Sequence, residues 1–310
     1  MSARIRVTRR TATAAAIALT AALTTLLVPT AADAASHRVL NGTSKANGLT
    51  ISDGSTYVVM NGTRVNFGVH VRDLAWSPDG KKAAFIDGQG NLEVANANAT
   101  GRHIVSVNPG HQTWSHPTWQ VAKADPRDHV EAKNNLIFTA NKGGTTRLMT
   151  ISATAYHRAP SVLALGRDFG PDVSYNPTTG NNWASAAGGY GTSVYDNTRN
   201  GEVYLRDDYL RQMGGAVTRG SEPALSPNGE EIVFVRAVKG HDHLFTSDIR
   251  GKHVKDITPH ATTDYTEPAW SANGKTIAFR TPTGTDTVPA NGSKAPVRVS
   301  SYTGLVAYRG

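Results

Sequence analysis

Five polar side chains stand at one fixed distance from a recurring anchor in the chain. Counting three residues back from Trp76, Trp119, Tyr175, Leu225 and Trp270 gives Asp73, His116, Asp172, Glu222 and Glu267. If a repeat carries these positions around one opening, four carboxylates and an imidazole converge there and set a local negative field, in a chain whose formal charge is +8. Carboxylates grouped in this way repel one another and raise at least one pKa unless a cation comes between them. Such a ring suits the capture of a cationic group. The structural alternative is that each acid hydrogen-bonds the backbone of a neighbouring repeat.

Other motifs carry less chemistry. Gly191-Thr192-Ser193 lacks the second glycine of a nucleophile elbow. Gly274-Lys275-Thr276 imitates the end of a phosphate loop, but Ala269 stands where the first glycine belongs and the segment reads as a hairpin. His241-Asp242-His243 would put two imidazoles on one side of an extended strand. With no third ligand in reach of the sequence, it reads as a solvated loop. Asp207-Asp208 and Glu230-Glu231 are adjacent pairs, whose side chains diverge rather than share one substrate atom. No catalytic residue, metal site or cofactor is assigned.

The elements that would position the ring follow from the anchors, which recur 43, 56, 50 and 45 residues apart. That period suits a four-stranded propeller blade. Ser77-Pro78-Asp79-Gly80 has the residues of a type I turn, and short apolar runs follow, such as Ala83 to Ile86 and Ile232 to Val235. A continuous apolar run bounded by turns fits a strand covered on both faces. Five copies are complete. Leu305 to Arg309 is then a lone last strand, and Leu49 to Gly68 reads as three strands lacking a first. Joined, they make a sixth blade and close the ring. The fold class is therefore all-β, a six-bladed β-propeller closed by one C-terminal and three N-terminal strands.

The strings "AWSPDGKKAAF", "ALSPNGEEIVF" and "AWSANGKTIAF" resemble the WD-like repeat of TolB-type periplasmic β-propellers, over about Leu49 to Gly310. The resemblance weakens in the second copy, where "VAKADPRDHVEAKNN" replaces the tight turn, and is weakest in the third, "PDVSYNPTTG". It implies a propeller without TolB's amino-terminal α/β domain, and not TolB's envelope role.

Arg4, Arg6, Arg9 and Arg10 precede an Ala/Thr/Leu run ending near Val28, and small residues surround Ala34. This reads as a secretory leader over residues 1–34, by general secretion rather than the twin-arginine route, followed by a single domain over 35–310. The run is too short and too rich in threonine for a membrane span. The expected location is secreted, periplasmic or cell-surface. An exported chain with no cysteine relies on packing alone for stability. Losing four arginines and Asp33 with the leader leaves a charge of +5, and scattered basic residues give no nucleic-acid footprint.

The expected function is an exported, monomeric, non-enzymatic module that engages a protein or peptide, cationic in character, at the ring of Asp73, His116, Asp172, Glu222 and Glu267. Tyr190 and Tyr195, in the insertion from Gly188, are expected to add loop contacts on the same face, and the charged loop near Asp125 to lie on the opposite one. The alternatives are a lyase or hydrolase acting on extracellular glycan, and a scaffold within a cell-surface assembly.

Overall fold

The structure, a computed structural model, describes residues 39–167, 175–208 and 213–310. The leader over residues 1–34 and Asp172 lie outside the described residues.

The chain opens with β1 (Leu49–Ser52), β2 (Tyr57–Met60) and β3 (Thr63–Asn66). Five four-stranded antiparallel sheets follow. The first holds β4 (Arg72–Trp76), β5 (Lys82–Ile86), β6 (Leu92–Asn96) and β7 (His103–Ser106). The next holds β8 (Thr113–Ala122), β9 (Lys133–Lys142), β10 (Thr145–Ser152) and β11 (Ser161–Val162). The third holds β12 (Asn181–Ala187), β13 (Thr192–Asn197), β14 (Glu202–Arg206) and β15 (Gly214–Arg219). The fourth holds β16 (Ser221–Leu225), β17 (Glu231–Val238), β18 (His241–Asp248) and β19 (Lys255–Asp256). The fifth holds β20 (Thr266–Trp270), β21 (Thr276–Thr281), β22 (Gly284–Pro289) and β23 (Val297–Ser300). Finally β24 (Leu305–Tyr308) returns to β1, Leu49 opposite Tyr308 and Ser52 opposite Leu305, and completes the sixth sheet. The ring is closed as the repeat predicts, so the inner sheet edge is paired rather than open.

The recurring string has a local physical cause. In the β4–β5 turn the Ser77 hydroxyl donates to Asp79 (2.7 Å) and accepts the Lys82 amide (3.0 Å), while the Gly80 amide returns to the Ser77 carbonyl (2.8 Å). Ser226 with Asn228, and Ser271 with Asn273, repeat the pattern in two other sheets. The glycine closing each turn has positive φ, +65° at Gly80, where a Cβ would be strained. The tryptophan before the turn reaches back to the preceding sheet. Trp119 Nε1 donates to the Ala75 carbonyl (3.2 Å), Trp270 Nε1 to the Ala224 carbonyl (3.0 Å) and Trp76 Nε1 to Thr50 (2.9 Å). Each of these three tryptophans is thus an inter-sheet tie as well as apolar mass.

On the second strands Phe85, Phe138, Phe234 and Phe279 are fully buried at one register position, two residues beyond the partner of the anchor. Tyr195 of β13 holds the same position in the third sheet and is 0% exposed. This corrects the expectation of a Tyr195 loop contact: the residue belongs to the inter-sheet core.

The third repeat is also displaced. Tyr175 forms an isolated bridge with Arg167 outside the sheets, and the inner strand is β12, centred on "NWASAA". The residue equivalent to Asp73 is therefore Trp183, eleven positions beyond Asp172. Among the described residues the third bulge position is held by Trp183.

Candidate functional site

Each complete sheet has a bulge near the start of its inner strand. The register slips between Arg72 and Ala75, Ser115 and Thr118, Asn182 and Ser185, Ser221 and Ala224, and Thr266 and Ala269. The first residue inside each slip is left-handed: Asp73 (φ +56°), His116 (+50°), Trp183 (+53°), Glu222 (+50°) and Glu267 (+55°). A bulge frees one residue from the ladder and re-aims its side chain and amide. In four of the five the freed amide bonds to the preceding sheet.

The five amides need acceptors, and the sequence supplies most of them from the sheet before. Asp73 Oδ2 accepts the His116 amide (3.2 Å), Thr139 Oγ1 accepts the Trp183 amide (3.2 Å), and Glu222 Oε2 accepts the Glu267 amide (2.7 Å). Asp196 of β13 accepts the Glu222 amide. Asp73 and Glu222 therefore each hold the next sheet in place. A buried amide left without such a partner costs about 1–3 kcal/mol.

Three of the five positions are not used in this way. The sheet after Glu267 is the seam, where β24 and β1 run in unbroken register, with no bulge amide to receive. Glu267 is 9% exposed; its Oε1 takes Arg280 (2.7 Å) and its Oε2 is buried without a partner. His116 precedes Trp183, whose amide Thr139 already takes, and the buried His116 Nδ1 also lacks a partner. The His116 and Trp183 rings pack against each other, tilted by 33° with centroids 3.6 Å apart.

Burial governs the ionisation of these groups. It pushes Glu267 up to about 7, against the pull of Arg280 and with a further push from Glu222 and Asp73. It pushes Asp196 up to about 7 although the Glu222 amide bonds to it, and raises Glu222 although the Glu267 amide bonds to it. Burial lowers His116 from the ordinary imidazole range, partly offset by Asp73, so the ring is neutral at pH 7.

A cavity of about 350 Å³ runs along the inner strands, lined by His116, Trp183 and Leu305 at one end and by Pro78, Gly188 and Pro227 at the other. A second hollow, lined by Asp73, Glu267, Arg72, Arg280 and Leu305, opens beside it. The two share Leu305.

His241 and His243 lie on β18, not in a solvated loop as the sequence suggests. His243 is 5% exposed with Nδ1 2.9 Å from Asp256, and His241 Nδ1 is 3.6 Å from Asp264. Among the described residues no three His, Asp or Glu side chains are grouped to hold a metal ion. Asp208 is buried between Arg206 (3.0 Å) and Lys133, and its Oδ2 takes Gln120 Nε2 (2.9 Å).

Tyr190 is exposed, at 59%, but it sits in the turn joining β12 to β13 and bridges Ala122 at the end of β8. That turn follows the inner strand, whereas the bulges precede it. Tyr190 thus shares the far face with the 123–132 loop, a correction to its expected place beside the ring. Trp183 is the residue that sequence reasoning missed. Its signal was available in the spacing: the 39 residues from Asn181 to Arg219 hold four strands, leaving no room for an earlier one.

Solved structures carry the same architecture. TolB from Acinetobacter baumannii superposes with a TM-score of 0.58 over 84% of this chain and 65% of that one, at 16% identity. A protein assigned as TolB in Agrobacterium tumefaciens gives 0.56 over 83% and 89%, at 15% identity. The chain is a TolB-like six-bladed β-propeller. At these identities the likeness is one of fold. Dipeptidyl-peptidase 5 of Porphyromonas gingivalis is 41% identical over 69 residues, which are 20% of this propeller chain and 10% of the peptidase. The propeller thus spans about two thirds of the Acinetobacter TolB and a small part of the peptidase. No protein-family profile matches the sequence.

Proposed function

We propose that this TolB-like propeller is an exported, non-enzymatic binding module that engages a protein or peptide partner at the end of the channel where the inner strands begin. The supporting observation is the division of labour among the five bulge residues. Asp73 and Glu222 are spent on inter-sheet amides, whereas His116 Nδ1 and Glu267 Oε2 take no hydrogen bond from the fold. Buried polar atoms without partners are rare in folded proteins and call for an explanation. A ligand supplies one.

The residues 1–34 fit a cleaved leader, so the module acts outside the cytoplasm as a monomer. Asp73, Glu222 and Glu267 stand beside Arg280 and Arg72, and above pH 7, once Glu267 ionises, the carboxylates outnumber the arginines, which favours a cationic partner. The local likeness to a dipeptidyl-peptidase agrees with a peptide as the bound group.

The test is capture of a partner from the secreted and surface proteins of the producing cell, followed by amide exchange on the complex. The reading predicts new protection at residues 68–72, 108–113 and 259–266, which lead into the inner strands. Protection confined to 123–132 and 188–191, on the far face, would overturn it.

A further inference from the structure

At the far face, beside the closing strand, a hollow of about 400 Å³ is lined by Lys45, Gly48, Thr50, Asn61, Arg309 and Gly310. Lys45 precedes β1, Asn61 lies in the β2–β3 turn and Arg309 follows β24, so ring closure is what brings the three side chains together. Arg309 is held in place. Its Nε donates to the Gly80 carbonyl of the β4–β5 turn (2.7 Å), and its guanidinium lies over the Trp76 ring, 5.4 Å from the centroid. Those contacts use one N–H and one face. Among the described residues, the two terminal nitrogens of Arg309, the Lys45 Nζ and the Asn61 side-chain amide have no hydrogen-bond or ion-pair partner. No aspartate or glutamate lines this hollow or the two that adjoin it, which share Arg309 and add Lys81. Lys81 is itself paired with Asp79 (3.5 Å), so the local balance is Arg309 and Lys45 against the carboxylate of Gly310, the last residue of the sequence.

We infer that this hollow binds an oxyanion, the carboxylate or phosphate of an acidic sugar. A guanidinium fixed through its Nε and one face presents the remaining N–H groups as a fork, which matches two oxygens of such a group. Because the fork is already oriented, little ordering is left to the moment of binding. Lys45 adds a mobile ammonium, and the Asn61 amide both donates and accepts, as a neighbouring sugar hydroxyl requires. The volume is that of a small-molecule site rather than of a lone ion. This goes beyond the entrance reading and is independent of it, since it uses none of the bulge residues and lies at the other end of the inner strands.

The probes are glucuronate and glucose-6-phosphate, titrated calorimetrically into the protein near pH 7.5 at low salt, with glucose as the neutral control. Saturable binding of at least one acidic sugar is expected, with glucose weaker by about tenfold or more. Which acidic sugar binds more tightly identifies the anion. Asn61→Asp keeps the size of the side chain and its tolerance of positive φ (+55°) while setting a negative charge beside Arg309. It should weaken binding by about tenfold or more with the melting temperature unchanged. Lys45 is exposed, and Lys45→Gln should weaken binding by about two- to fivefold. Equal binding of glucose and the acidic sugars, no saturable binding of either acidic sugar at millimolar concentration, or unchanged affinity in an Asn61→Asp protein that melts like the native chain would overturn the inference. If Asn61→Asp melts lower, Lys45→Gln and the glucose comparison on the unaltered chain decide.

Discussion

A glutamate whose fold supplies no hydrogen bond to one oxygen carries its ionisation at a cost. Glu267 titrates near 7 in the folded chain, against an ordinary value near 4.5, because burial opposes its charge more than Arg280 assists it. The folded state therefore holds the proton more tightly than the unfolded one. The stability this confers is fully present below pH ~4.5 and is lost as pH rises through 7. Each pKa unit corresponds to about 1.4 kcal/mol, so charging Glu267 costs a few kcal/mol in the free protein. Glu267→Gln should leave stability near pH 5 little changed and raise it by about 1–3 kcal/mol at pH 8, by denaturant melts at both pH values. An equal effect at both would mean that Glu267 is not the strained group. A bound cation offsets the same cost, so partner affinity should rise over this pH window.

At the scale of strands, the sheets are bound to one another by two repeated devices: the tryptophan tie before three of the turns and the aromatic ring on the second strand. Tyr195 is the one member of the second set that carries a hydroxyl, and that hydroxyl is buried without a partner. Its ring stacks on Tyr204, centroids 5.3 Å apart, so the aromatic contact does not depend on the oxygen. Tyr195→Phe makes the position like Phe85, Phe138, Phe234 and Phe279, and should stabilise the chain by about 1 kcal/mol in a chemical denaturation experiment. Destabilisation would show that the hydroxyl is satisfied by a buried water. The same strand shows where the sequence can be read and where it cannot. Ser-Pro-Asp-Gly and the apolar run after it identify blades because turn chemistry and burial are local. In the third repeat the inner strand ends in Ala186-Ala187-Gly188, with no tryptophan or leucine anchor, so a turn-like "NPTTG" elsewhere drew the register to Tyr175. The bulge positions of Asp73, His116, Glu222 and Glu267 were legible by spacing, and that of Trp183 was not. Their bonds to the next sheet were not, since they depend on a left-handed bulge that no residue pattern announces for glutamate or tryptophan.

For the molecule as a whole, ring closure turns a periodic sequence into a shared entrance. The last strand is held by β1 pairing, by the Arg309 amide on the Gly48 carbonyl (2.8 Å), and by Arg309 Nε on the Gly80 carbonyl (2.7 Å). Because the seam sheet lacks a bulge, the series of inter-sheet bonds to bulge amides stops at Glu267, and the closing point of the ring is also where one carboxylate oxygen is buried without a hydrogen bond. Function at the entrance is then a property of several charges acting together, set by architecture rather than by one residue. The measurement that tests this most directly is the salt dependence of partner affinity for the native chain and for the Glu222→Gln, Glu267→Gln double variant. Charge steering predicts weaker binding by the variant and a flatter dependence on ionic strength, with the fold intact, because two fewer charges remain to be screened. Unchanged affinity and slope, in a protein whose stability has fallen by about a kilocalorie per mole or more, would mean that these carboxylates serve the fold alone and that the partner binds elsewhere.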